Sequence, residues 1–155
     1  MKMSMKSRSK VKAVWRTGKN VIELEARGYK GSIFEPVERS CTSTEGMNAL
    51  EYFLGSLAAC MTTIMHWHAS EVGVTRIDEV TMTLSGEIDL KACAKGDTSI
   101  KSGIPEITVE VSVKSPDDPA KIKKAFELAE KLCPISDTIQ SPTKINLVLK
   151  SDPQK

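Results

Sequence analysis

The chain lacks a long apolar run. Its most apolar stretch, about Leu54 to Trp67, is shorter than the roughly 20 residues a helix needs to span a bilayer. It opens on Lys2, Lys6, Arg8, Lys10 and Lys12 with no acid among them. No apolar core of ~7–15 residues follows, which argues against a secretory signal. No glycine-rich phosphate loop, Gly-x-Ser-x-Gly elbow or Cys-x-x-Cys pair is present. Nucleotide binding, serine-esterase chemistry and zinc-ribbon or thioredoxin chemistry therefore have no sequence support. The two histidines, His66 and His68, stand two apart in a helical pattern. They point about 200° away from each other and cannot chelate one ion. No basic–aromatic surface pattern, internal repeat or low-complexity block appears, so no nucleic-acid or membrane partner is expected.

What is present is an ordinary globular composition: 155 residues, 40% apolar and 27% charged. This length fits one domain with a real core. Residues 1–10 form a basic tail expected to be disordered, and residues 11–155 are expected to form a single domain. The net charge of +2 hides this division. Without the five N-terminal cations, 17 basic residues face 20 acidic ones, a net of about −3. Four cysteines, Cys41, Cys60, Cys93 and Cys133, in a chain without a secretory signal point to a reducing cytoplasm.

Val11 to Glu25 reads as two short strands around a turn at Thr17-Gly18-Lys19-Asn20. Gly28 to Thr44 is turn-rich. Gly46 to about Glu71 is the dominant helix, with Thr44 as a plausible N-cap and Gly73 at its end. Val80, Met82 and Leu84, and then Ile107, Val109, Val111 and Val113, alternate with polar residues, the period of half-buried strands. Lys91 to Gly103 between them reads as a loop. Ser115 to Pro119 supplies the cap and first turn of a second helix. The apolar face of that helix is Ile122, Ala125, Phe126, Ala129, Leu132 and Cys133. Pro134 ends it and can begin a third helix, and Ile145 to Leu149 reads as a last strand. The order gives an α+β domain.

Two thiols carry the chemistry. On a helical wheel Cys60 shares a side with Phe53, Ser56, Leu57, Thr63, Ile64, Trp67 and Glu71, a mostly apolar surface. Gly55, Ala58 and Ala59 are small enough to let another helix approach. Cys133 precedes a proline at a helix start, where backbone N–H groups can point at its sulfur and favour the thiolate. Both thiols point inward from separate helices and could meet. Cys41 and Cys93 fall in expected loops and fit no metal pattern.

The run Gly46-Met47-Asn48-Ala49-Leu50-Glu51-Tyr52-Phe53-Leu54-Gly55-Ser56-Leu57-Ala58-Ala59-Cys60 resembles the central-helix motif of the OsmC/Ohr family. Leu132-Cys133-Pro134-Ile135-Ser136-Asp137-Thr138-Ile139 resembles its second motif. The resemblance covers about Val11 to Leu149. It implies an antiparallel sheet packed on a long central helix in an intertwined homodimer. It also implies a thiol peroxidase for hydroperoxides, preferably organic ones. Cys60 would be the peroxidatic thiol and Cys133 the resolving thiol, recycled by a dithiol reductant of the lipoyl type. No metal or bound cofactor is implied. The family also uses an arginine and a glutamate. Arg16, in Trp15-Arg16-Thr17-Gly18-Lys19, matches the first, with Arg27 as rival. The glutamate position ten residues before the cysteine is Leu50 here. Glu51, nine before, falls about 180° around an ideal helix from Cys60 and could act through a bend or from a partner subunit. The alternative is a non-catalytic dimer of this type holding a small apolar ligand at its interface.

Overall fold

The computed structural model describes residues 7–34 and 45–150. Cys41 and Thr44 lie outside them. The chain forms two compact units, Met1–Gly55 with Leu84–Val109, and Ser56–Thr83 with Glu110–Lys155.

The first unit holds a three-stranded antiparallel sheet in the order β1 (Lys12–Trp15), β2 (Val21–Ala26), β3 (Tyr29–Phe34). The expected turn at Thr17–Asn20 joins β1 to β2, with Gly18 at φ 79° and Lys19 N donating to Arg16 O. The turn-rich reading of Gly28 onward is corrected, because Tyr29–Phe34 is a strand. The two residues between β2 and β3, Arg27 and Gly28, both have positive φ, 53° and 85°. That is the tight turn whose twist matches the flanking strands. Registered partners share a face. Lys12, Glu25 and Lys30 therefore line one side with Val14, Glu23 and Ser32. The other side carries Trp15, Ile22, Leu24 and Ile33.

Lys91 to Gly103, expected as a loop, contains the short helix α2 (Leu90–Lys95), which includes Cys93. Asp89 caps it by accepting from Lys91 N, and Gly96 closes it in the left-handed conformation. Both signals were in the sequence. The polar composition around them hid them.

The major helix α1 spans Ala49–His68 and continues as a short 3-10 turn, Ala69–Val72, closed by Gly73 at φ 78°. Its start is three residues later than expected, because Asn48 is the cap. Asn48 Oδ1 accepts from the amides of Leu50 and Glu51, and Glu51 Oε2 accepts from Asn48 N at 2.7 Å. This reciprocal capping box satisfies donors that helix geometry leaves open.

In the second unit the core is Ile64, Met65, Ala69, Val74, Ala125 and Ala129, with Cys60, Ile122 and Phe126 packed against it. The buried side of α1 is Leu57, Met61, Ile64 and Met65. Phe53 and Trp67, expected beside Cys60, are exposed, Trp67 by 66%. Strands β4 (Glu79–Ser85) and β5 (Thr108–Lys114) pair with each other. Asp78 N donates to Lys114 O, which sets the start of β4 beside the end of β5 and makes the pair antiparallel. Helix α3 (Pro119–Leu132) has Asp118 as cap and proline in its first turn, as its sequence implies. Helix α4 (Pro134–Gln140) follows at once.

The expected strand Ile145–Leu149 does not form. The segment has no ladder partner among the described residues, and Ile145, Leu147, Val148 and Leu149 are 80–93% exposed. A strand is defined by a neighbour, and alternating composition alone cannot supply one. Among the described residues no helix is long and apolar enough to cross a membrane.

Candidate functional site: a thiol pair at a helix junction

Proline at 134 determines the local geometry. Its ring disfavours helical backbone at the preceding residue, and Cys133 is accordingly extended at φ −70°, ψ 115°. Helix α3 therefore ends there, with Cys133 N still donating to Ala129 O at 2.9 Å. The same residue caps α4. Cys133 Sγ accepts from Ser136 N at 3.4 Å, and Cys133 O accepts from Asp137 N at 3.0 Å. The Cys133 side chain is fully buried. The thiol thus takes the place that Ser, Asp or Asn occupies at most helix starts.

Cys60, on α1, is half-buried. Cys133 and the Ile135 backbone are near enough to its thiol to act on its ionisation. The first turn of α4 therefore meets both sulfurs: the Ser136 amide donates to Cys133, and the Ile135 backbone acts on Cys60. Burial pushes the Cys60 thiol above its ordinary range, and the hydrogen bond with Cys133 pushes it further; the Ile135 amide opposes both. Burial thus disfavours the Cys60 thiolate more than the Ile135 amide favours it. One turn along, Thr62 and Thr63 return their hydroxyls to the carbonyls of Ala58 and Ala59, and Thr62 also reaches Met82 Sδ at 3.6 Å.

Arg16 and Glu51 belong to the other compact unit, where each has a local partner. Arg16 Nη1 bonds Glu23 Oε2 across β1 and β2, with both side chains about 60% exposed. Arg16 in turn holds the Glu23 carboxyl below its usual range. Glu51 closes the capping box of α1. Arg27 sits in the β2–β3 turn with its guanidinium 5.8 Å from the Tyr29 ring centre. His68 pairs with Glu71 at 2.7 Å. Among the described residues no three His, Cys, Asp or Glu side chains gather as a metal would need.

The sequence reading anticipated backbone N–H groups at the Cys133 sulfur, and the Ser136 amide is there; it did not anticipate that the Ile135 backbone would act on Cys60. A backbone donor carries no residue letter. The available signal was Pro134, which marks a first helical turn and so locates unpaired N–H groups. It also missed Gln140, whose Nε2 donates to Ser136 Oγ at 2.9 Å and to Glu130 Oε1 at 3.1 Å.

The molecule is thus an α+β protein with antiparallel sheets and two thiols held together where α3 meets α4. The family described as OsmC-like protein matches residues 42–148, and the chain belongs to that family. Solved structures agree on the fold. An OsmC-like protein from Mycoplasma pneumoniae superposes with a TM-score of 0.72 at 21% identity, over 88% of this chain and 89% of that one. An OsmC-like protein of unknown function from Vibrio cholerae gives 0.68 at 14%, over 88% and 96%. The organic hydroperoxide resistance protein OhrB of Bacillus subtilis gives 0.55 at 21%, over 86% and 91%. No curated protein matches the chain.

Proposed function

We propose that the protein is a thiol-dependent peroxidase that reduces hydroperoxides, organic ones by preference, through Cys60 and Cys133. The observation that carries this reading is the nearness of the two thiols, Cys133 being one of the groups that act on the Cys60 sulfur. Cys60 is half-buried on α1, and Cys133 is buried where α3 meets α4.

The cycle balances as follows. The Cys60 thiolate attacks one peroxide oxygen; the O–O bond breaks, and the leaving alkoxide takes a proton and departs as alcohol. Cys60 is then a sulfenic acid. Cys133 attacks that sulfur, water leaves, and an S–S bond forms. A dithiol reductant, of the lipoyl type in the family, restores both thiols by exchange and carries away two electrons as its own disulfide.

A free thiol of pKa ~8.5 is only about 3% thiolate at pH 7, and the Cys60 pKa is raised above that of an ordinary thiol. A cation and a donor for the developing alkoxide are therefore required. Arg16 is proposed for this task, and Glu51 as its acidic partner, on the motif resemblance. A homodimer completes the reading. The exposed apolar segment Ile145–Leu149 and the exposed Trp67 support it, since unpaired strand-forming residues are a template for a second chain. The reading includes a cytoplasmic location, where a dithiol cycle has reductant available.

The raised Cys60 pKa favours one other reading, a non-catalytic dimer that holds a small apolar ligand. The deciding experiment is stoichiometric treatment of the reduced protein with cumene hydroperoxide, followed by non-reducing peptide mass mapping. The peroxidase reading expects one Cys60–Cys133 disulfide per chain, absent in Cys60→Ser. Unchanged thiols, or oxidation scattered over Cys41 and Cys93, would favour the ligand-binding reading.

A further inference from the structure

Helix α4 has only seven residues, too few to stand by propensity alone, yet its first turn serves both sulfurs. What fastens it is visible at its far end. The Gln140 carboxamide donates to Ser136 Oγ one turn back and to Glu130 Oε1 on α3. Ser136 is itself 6% exposed, and its amide is the one on Cys133 Sγ. One side chain thus links α3, the buried hydroxyl and the turn that caps the thiol. A buried hydroxyl that loses its partner carries a desolvation cost, so Ser136 follows Gln140.

We propose that Gln140 is a positioning residue for the dithiol: by clamping α4 to α3 it keeps the Ser136 amide on Cys133 Sγ and holds the α3–α4 junction that carries this thiol in place beside Cys60. The proposal rests on the reading of the pair as redox-active, but not on a peroxide being the oxidant. Gln140 touches neither sulfur. It acts by limiting how far α4 moves in the reduced state, where no covalent bond holds it. The disulfide enforces the docked arrangement, so ring closure is easier when the clamp has already set it.

The test uses the full chain carrying Cys41→Ser and Cys93→Ser, equilibrated against glutathione buffers and read by non-reducing mass mapping. Closure converts two S–H groups to one S–S bond, and the two electrons reduce one glutathione disulfide to two thiols. Gln140→Leu is expected to lower the closure equilibrium constant about fivefold, the factor for one hydrogen bond of about 1 kcal/mol. The exchange Glu130→Gln with Gln140→Glu keeps the charge and a donor–acceptor pair between α3 and α4, and is expected to recover most of the loss. A Gln140→Leu protein that melts lower but closes with the unaltered constant would reduce Gln140 to a structural role and overturn the proposal. Failure of the exchange to recover closure, or no Cys60–Cys133 disulfide at any glutathione ratio in the parent, would overturn it too. A glutathione-formed disulfide that responds to Gln140, in a protein inert to cumene hydroperoxide, would sink the peroxidase reading and leave the clamp standing.

Discussion

Cys133 lies beside the Cys60 thiol and opposes its ionisation. Burial is the larger cause of the raised Cys60 pKa, and Cys133 adds to it by bonding the protonated form. Replacing Cys133 by alanine removes the second cause and, by opening space beside the sulfur, weakens the first. The alkylation rate of Cys60 itself, followed against pH by peptide mapping in Cys41→Ser/Cys93→Ser protein, is expected to rise at lower pH in Cys133→Ala than with Cys133 present. With Cys133 present the Cys60 rate is expected to keep increasing through the ordinary thiol range near ~8.5 without levelling off there. Equal or reversed midpoints would mean that Cys133 does not hold the Cys60 proton.

Glu51 is expected to matter first as a cap. Its carboxylate accepts the Asn48 amide while Asn48 caps the amides of Leu50 and Glu51. Glutamine supports the same box. Glu51→Gln should therefore leave thermal stability nearly unchanged, whereas Asn48→Ala should cost about 1 kcal/mol. A cap alone also leaves peroxide turnover unchanged in Glu51→Gln, whereas the catalytic proposal for Glu51 expects turnover to fall at the same stability. Assay and melting curve on that one variant separate the two roles.

Much of this was legible in the sequence, and the failures share a cause. Cys133-Pro134 announced both the end of α3 and the start of α4, because proline acts on the residue before it whatever the tertiary context. Asp118-Pro119 did the same for the start of α3. Helix α2 was missed because a six-residue helix has no apolar period to show, only Asp89 and Gly96 at its ends. The face of α1 was read one strip away from the buried one. A wheel ranks the sides of an apolar helix poorly when nearly all of them are apolar. Ile145–Leu149 has a strand's composition without a ladder, because pairing belongs to whatever lies alongside. The thiol pair was read as possible, and only the fold brought the sulfurs together.

Asp117 ties two segments of the second unit. Its carboxylate accepts the amides of Thr75 at 2.7 Å and Arg76 at 3.0 Å, along with the Thr75 hydroxyl. The Arg76 amide is the main cause of its lowered pKa, followed by the Thr75 amide. A carboxyl with a depressed folded pKa contributes stability that is complete above its unfolded value, near 3.8. That contribution is lost as pH falls through the folded value. Asp117→Ala should therefore lower the urea midpoint clearly at pH 7, with the gap closing as pH drops below about 3.8. A gap that stays constant across this range would show that the carboxylate charge contributes nothing.

The exposed C-terminal segment makes the dimer testable. Ending the chain after Lys144 removes Ile145, Leu147, Val148 and Leu149, which the protomer leaves 80–93% exposed. If they add a strand to a second copy, the shortened chain should sediment as a monomer where the full chain sediments as a dimer. If they do not, truncation should leave the sedimentation of the full chain unaltered apart from its lower mass.

Alanine at 129 sets how closely α3 approaches the core that Cys60 packs against. Ala125 and Ala129 are both fully buried, one turn apart, in a cluster with Ile64 and Met65. The carbonyl of Ala129 accepts the Cys133 amide, so a shift of this turn is transmitted to the thiol. Leucine at 129 overfills the site and should cost about 1–3 kcal/mol. By pushing α3 outward it should also slow formation of the Cys60–Cys133 disulfide. Glycine at 129 costs about 1 kcal/mol through helix propensity, with a further loss of the buried methyl of about 0.8 kcal/mol, but leaves the approach open. Two variants of similar stability should then differ in closure rate, with Ala129→Gly near the parent and Ala129→Leu several-fold slower. Equal slowing in both would mean that closure follows global stability, and that the spacing of α3 has no separate influence on the thiols.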